Sequence, residues 1–174
     1  MESRYGSKKS SFVSKWSGIR DLVKENYQKT FWNDGYGCLA DYVDNSGQNM
    51  DVRPNQLAAL WCEYSPVDEE LAPSILRVID NELVTSRGIR TLSPRDSKYK
   101  GVYEGTQIAR DLAYHQGSTR PFLLEYYIGV CLRVKGAAFV KKAEWLVEGF
   151  YEDLGKHGVG AFSELYDGDP PHEP

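Results

Sequence analysis

Apolar residues recur at helical spacing over several long stretches of this chain, and those stretches set its outline. Over residues 8–30, Phe12, Trp16, Ile19, Val23 and Tyr27 follow one another in steps of three or four, with Ser, Lys, Arg and Asp between them. That pattern predicts an amphipathic helix. "NDGYG" (33–37) breaks it, since Gly and Asn-Asp favour turns. "YGCLADYVDNSGQ" (36–48) predicts a short strand pair or an irregular excursion, turned by Asn-Ser-Gly. A helix is expected over 53–64, with Pro54 at or near its first position, where its missing N–H costs nothing. Leu71, Ile75, Val78, Ile79 and Leu83 predict another over 65–83. Pro73 leaves two options there: a kink, or a short first turn before a helix that begins at the proline. Periodicity fails from Thr85 to Gly117. It returns in 119–136, which is apolar nearly all round and predicts a buried helix, and in 137–158, where Lys156, His157 and Gly158 form an ordinary C-terminal stop. Helices thus alternate with polar, aromatic-rich excursions. The expected fold class is all-α, with its chemistry on the connecting loops.

The 174 residues suffice for one domain. Hydrophobic residues make up 41% and charged residues 26%, as in soluble globular proteins. A net charge of −4 argues against nucleic acid as a partner. No apolar run is long enough for a membrane span, and the N-terminal residues lack an apolar signal core, so no membrane partner is expected. Three cysteines without a CxxC fit free thiols in a reducing, cytoplasmic setting. The 12 Tyr, 6 Phe and 4 Trp have two readings: core packing, or flat rings stacked on the apolar faces of sugars.

Glu164 sits in "FSELYDGD", beside Phe162, Leu165 and Tyr166 and just past a helix stop. A carboxylate among aromatics on a loop can have a raised pKa and serve in acid/base work; a solvated surface glutamate looks the same. Asp167 and Asp169 suit a turn around Gly168. In "RPNQ", Arg53, Asn55 and Gln56 match the donors and acceptors of sugar hydroxyls, but also suit helix capping and a surface arginine. The non-periodic stretch supplies Arg90, Tyr114, His115 and Gln116. No metal-ligand spacing, P-loop, GxGxxG or nucleophile motif is present, so no metal or cofactor is expected.

Five segments occur in order: "FWNDGYGCLADYVD", "RPNQLAAL", "GIRTLSPRDSKYKGVYEG", "RDLAYHQGS" and "SELYDGDPPHEP". Together they resemble the C-terminal catalytic domain of glycogen debranching enzymes, the amylo-α-1,6-glucosidase domain, from about residue 20 onward. The resemblance implies an (α/α)6 toroid of helical hairpins. It also implies an inverting glucosidase that removes the α-1,6-linked glucose at a branch point of glycogen or limit dextrin. Such chemistry uses an acid and a base about 6.5–9.5 Å apart. The resemblance makes Glu164 the general base and places Arg53, Asn55, Gln56, Arg90, His115 and Gln116 on motifs that line or support the glucose pocket.

Two departures stand out. The family's general acid, an aspartate in a "TWMD"-like motif, has no counterpart here. And where the family usually reads "YHQGTVWPW", this chain has "YHQGSTRPF", with Arg120 in place of a tryptophan. The expectation is therefore a single partial toroid over 1–174, incomplete at both ends. As an isolated chain it would lack activity and would self-associate through exposed helix faces. The alternative is a non-catalytic helical carbohydrate-binding or interaction module.

Overall fold

The computed structural model describes residues 11–157 and 159–174. The first helix, α1, spans Ser11–Phe31. Its predicted residues 8–10 lie outside the described part. Its periodic side chains are only partly covered: Val13 is buried, while Phe12, Trp16, Ile19 and Val23 are exposed. At its far end Tyr27 and Phe31 stack, their ring centroids 4.7 Å apart, against the margin of the core.

The excursion that follows is strand, not irregular chain. β1 (Trp32–Asn33) pairs antiparallel with β2 (Cys38–Leu39), and β3 (Tyr42–Asp44) pairs with β4 (Gly47–Asn49). Asp44 Oδ1 accepts from the Ser46 N–H (2.8 Å) and closes the predicted turn. α2 then runs over Asn55–Trp61 with Pro54 at its N-cap. The Pro73 ambiguity resolves into a 3-10 turn (Glu69–Leu71) followed by α3 (Ala72–Glu82), with the proline in its first turn.

The expected all-α partial (α/α)6 toroid is wrong. Helix accounts for 52% and strand for 11%, and three small antiparallel sheets join the helices, so the chain is mixed α and β. The physical reason lies in strand length. Each strand has two or three residues, too few for a period-2 alternation to show beside the helical pattern. The third sheet matters most here. β5 (Val84–Thr85), β6 (Gly88–Arg90) and β7 (Thr119–Arg120) lie in that order, and Thr119 also bridges to Tyr166.

Inside the aperiodic stretch lies α4 (Gln107–Gln116), which the apolar pattern misses. Ala113 is its one buried residue, and Ile108 and Leu112 face solvent. Polar chemistry holds it instead: the Thr106 hydroxyl caps the Ala109 N–H at 3.3 Å, and Gln107 bonds Asp111 at 2.6 Å. α5 begins at Leu123 and ends at Lys135, because Thr119–Arg120 belong to the sheet and Pro121 follows them. The last predicted helix is broken into a 3-10 turn (Gly136–Phe139), α6 (Val140–Glu148) and α7 (Tyr151–Lys156). The break falls at Gly149, where a Cβ would lie 2.8 Å from the Ser86 carbonyl oxygen, closer than real Cβ contacts come. The stop assigned to Gly158 lies outside the described residues.

The core gathers Leu57, Leu60, Ile75, Leu76, Ile79, Ile89, Tyr127, Val130, Leu146 and Tyr166, all at most 2% exposed. It therefore joins α2, α3, α5, α6 and the third sheet. Cys38, Cys62 and Cys131 are unpaired thiols. Burial pushes the Cys38 and Cys131 thiols up to about 11. No helix among the described residues is long and apolar enough to cross a membrane.

Candidate active site

The segment carrying Glu164 is held from both sides by backbone. Thr119 N–H donates to the Tyr166 carbonyl (2.8 Å), and Tyr166 N–H donates back (3.0 Å). Gly168 N–H donates to the Gly101 carbonyl at 2.6 Å. The approach is close enough to require glycine: a Cβ on Gly168 would stand 2.2 Å from the Gly117 carbonyl oxygen. The side chains of the two aspartates flanking Gly168, expected to shape a local turn, instead tie the segment to residues far away in the chain. Asp167 Oδ1 accepts from the Tyr103 N–H (2.7 Å), and Asp169 Oδ1 accepts from the Tyr99 hydroxyl (2.9 Å).

Glu164 itself is 74% exposed at its side chain. The Tyr114 hydroxyl donates to its Oε1 at 2.7 Å, and Arg120 Nη1 donates to the same oxygen at 3.0 Å. Oε2 makes no hydrogen bond within the described residues. The Tyr114 hydrogen bond, then the Arg120 hydrogen bond and charge, hold this carboxyl below the usual glutamate range. Sequence alone suggested the opposite direction. Aromatic neighbours raise a carboxyl only by desolvating it, and this one remains in water while accepting two hydrogen bonds.

The remaining predicted residues fall into one connected network and one separate tie. Arg53 Nη1 donates to the carbonyls of Thr91 (3.1 Å) and His115 (2.7 Å), and its Nη2 donates to Gln116 Oε1 (2.8 Å). Asp41 and Asp51 lie 3.6 and 3.7 Å from the same guanidinium. Asn55 donates to Asp41 Oδ1 at 2.6 Å, and Gln56 donates to the Arg53 carbonyl at 3.2 Å. The Arg53, Asn55, Gln56 and Gln116 side chains are thus engaged within the protein; buried Gln56 Oε1 has no hydrogen-bond partner among the described residues. Arg90 makes the separate tie: its Nε donates to the Gly168 carbonyl (2.8 Å), anchoring the segment beyond Glu164. His115 differs again. Its ring is exposed, stands edge-on to Tyr114 at 4.9 Å, and makes no hydrogen bond among the described residues.

The structure therefore brings Glu164 to the C-terminal end of α4, next to His115, and sets Arg53 beneath that end. Two contributors had no role assigned from sequence, Tyr114 and Arg120. Arg120 is 5% exposed at its side chain, and its guanidinium lies 3.4 Å from the Tyr114 ring centroid. No local signal marks the pair, because Arg120 and Glu164 are 44 positions apart. A groove of about 630 Å³ lies elsewhere, between α1, α2, the start of α3 and the end of α5. None of the predicted site residues lines it. Among the described residues no cluster of three or more His, Cys, Asp or Glu is arranged to hold a metal.

The profile of one family, described as amylo-alpha-1,6-glucosidase, matches residues 3–174. This chain belongs to that family. Membership relates the chain to the glycoside hydrolases and to glycogen debranching.

Proposed function

We propose that this chain supplies the general base of an inverting glycoside hydrolase that cleaves α-1,6-linked glucose at the branch points of an α-glucan such as glycogen or limit dextrin. The observation that carries this is the state of Glu164: an exposed carboxylate, kept ionised, with Oε1 bonded and Oε2 unbonded. A general base must be deprotonated and must offer an oxygen to the water it activates. In this reading Oε2 takes a proton from water as that oxygen attacks the anomeric carbon. The bond to the glucosidic oxygen breaks, and an acid about 6.5–9.5 Å from the base protonates the leaving oxygen. That acid is assigned to a residue outside these 174, since the aspartate motif expected for it does not occur in them. His115 and the ring of Tyr103, 6.5 Å from Tyr114, are the exposed and half-buried groups nearest to hand for sugar contacts. Arg53, Asn55, Gln56, Arg90 and Gln116 act behind them by fixing the backbone of the site. A cytoplasmic location goes with this reading, supported by the glycogen-related family and three unpaired thiols.

The test is Glu164→Gln in the protein that carries both carboxyls. Turnover of a branched limit dextrin should vanish while oligosaccharide binding persists. Retained turnover would exclude Glu164 as the base. The 174-residue chain by itself should release no glucose; robust release would place the acid within it. A second reading, a carbohydrate-binding module without chemistry, draws on the engagement of Oε1 by Arg120. It predicts binding without turnover in the unaltered protein as well.

A further inference from the structure

Glu164 lies on an irregular segment with most of its side chain in water, and such a glutamate ordinarily samples several rotamers. A base must instead point one oxygen at one water. Here two donors from different elements converge on a single oxygen: Tyr114 from α4 and Arg120 from β7, both on Oε1. Arg120 is itself immobile. Its backbone sits in the third sheet opposite Ile89, its side chain is 5% exposed, and its Nη2 reaches the Tyr114 carbonyl at 3.4 Å. The guanidinium also lies on the Tyr114 ring, so one tyrosine both braces the arginine and donates beside it. An exposed ion pair usually contributes little, because two long side chains must be ordered together. In this pair the arginine is already ordered by burial, and only the glutamate has freedom to lose.

We propose that Arg120, braced on Tyr114, is the positioning residue of the site: it pins Oε1 of Glu164 and so leaves Oε2 to meet the attacking water. This rests on the reading of Glu164 as the base. The groups facing the carboxylate are the Tyr114 hydroxyl and the Arg120 guanidinium, with His115 and Tyr103 beyond them across the Tyr114 ring. Because the pinned oxygen faces a cation, removing that cation changes where the carboxylate titrates as well as where it points.

The test reads the carboxylate directly, by carbon-detected NMR titration of the Glu164 carboxyl in the 174-residue chain. Arg120→Gln should raise its midpoint toward that of an ordinary glutamate. Tyr114→Phe, which keeps the bracing ring, should raise it less. Arg120→Lys keeps the charge but not the planar stack, and should fall between Arg120→Gln and the unaltered chain. A midpoint unmoved by Arg120→Gln overturns the proposal. Should that variant fail to fold, Arg120→Lys carries the test, and a midpoint unmoved there overturns the proposal as well. In the active protein the acid limb of the kcat/KM profile should shift to higher pH with the NMR midpoint. A midpoint that moves while the limb stays put overturns instead the reading of Glu164 as the base.

Discussion

Asp153 and Glu164 each accept a hydrogen bond from a tyrosine, in opposite settings. Asp153 is 4% exposed and uses both oxygens: His157 Nδ1 lies 2.9 Å from Oδ1, while the Tyr166 hydroxyl and the Ser163 N–H and hydroxyl donate to Oδ2. Its tyrosine is fully buried and part of the core. Glu164 uses one oxygen, and its tyrosine is half-buried. The difference separates structure from chemistry. A carboxylate with both oxygens bonded holds a fold together, and a carboxylate with one oxygen open to water has capacity left for a reaction.

The comparison can be broken or sharpened experimentally. The largest stability loss should come from Asp153→Ala, which strands the buried Tyr166 hydroxyl and opens the Ser163 turn. About 3 kcal/mol is expected in urea unfolding. Gly168→Ala should follow at about 2 kcal/mol, since its Cβ cannot fit against the Gly117 carbonyl without moving the segment. Tyr166→Phe removes a single donor from Asp153 and should cost about 1 kcal/mol. Acid should act in the same sense. Burial pushes the Asp153 carboxyl up, but the Tyr166 and His157 hydrogen bonds outweigh it and hold the pKa below that of an unfolded aspartate. Its stabilisation is therefore fully present above the unfolded value, about 3.9, and disappears as pH falls through the folded one. Thermal scans from pH 7 downward should show that loss in the unaltered chain and a shallower one in Asp153→Asn. At the small end, Tyr114→Phe and Glu164→Gln should lower Tm only slightly, because Glu164 is largely in water, and on the proposed reading the second should abolish turnover. A marked fall in Tm for either would erase the distinction drawn between the two carboxylates.

Much of the helical frame was legible in the residues. Trp16, Ile19 and Val23 announce α1, Ile75 and Ile79 announce α3, and Tyr127 and Val130 belong to a helix whose burial the pattern foretold. Glu164 was singled out through the segment around it rather than through its own setting, and its role remains a proposal. The third sheet and α4 were not legible. Strands as short as Val84–Thr85 contain no repeat to detect, and α4 rests on a threonine cap and side-chain hydrogen bonds, with no apolar face.

The order of polar and apolar residues by itself determined where α1, α2, α3 and α5 form, because helical hydrogen bonds close within four residues and need only local spacing. It also carried the family, since the motifs are contiguous. Only the tertiary structure decided which partners each charged group has. Arg53 turns out to be spent on the carbonyls of Thr91 and His115, and Arg90 on that of Gly168. Arg120, which reads from sequence as a cation in place of a tryptophan, finds its partner in Glu164. These pairings join residues far apart in the chain. Arg120 meets Glu164 beside the bridge between Thr119 and Tyr166, a register that is a property of the folded whole.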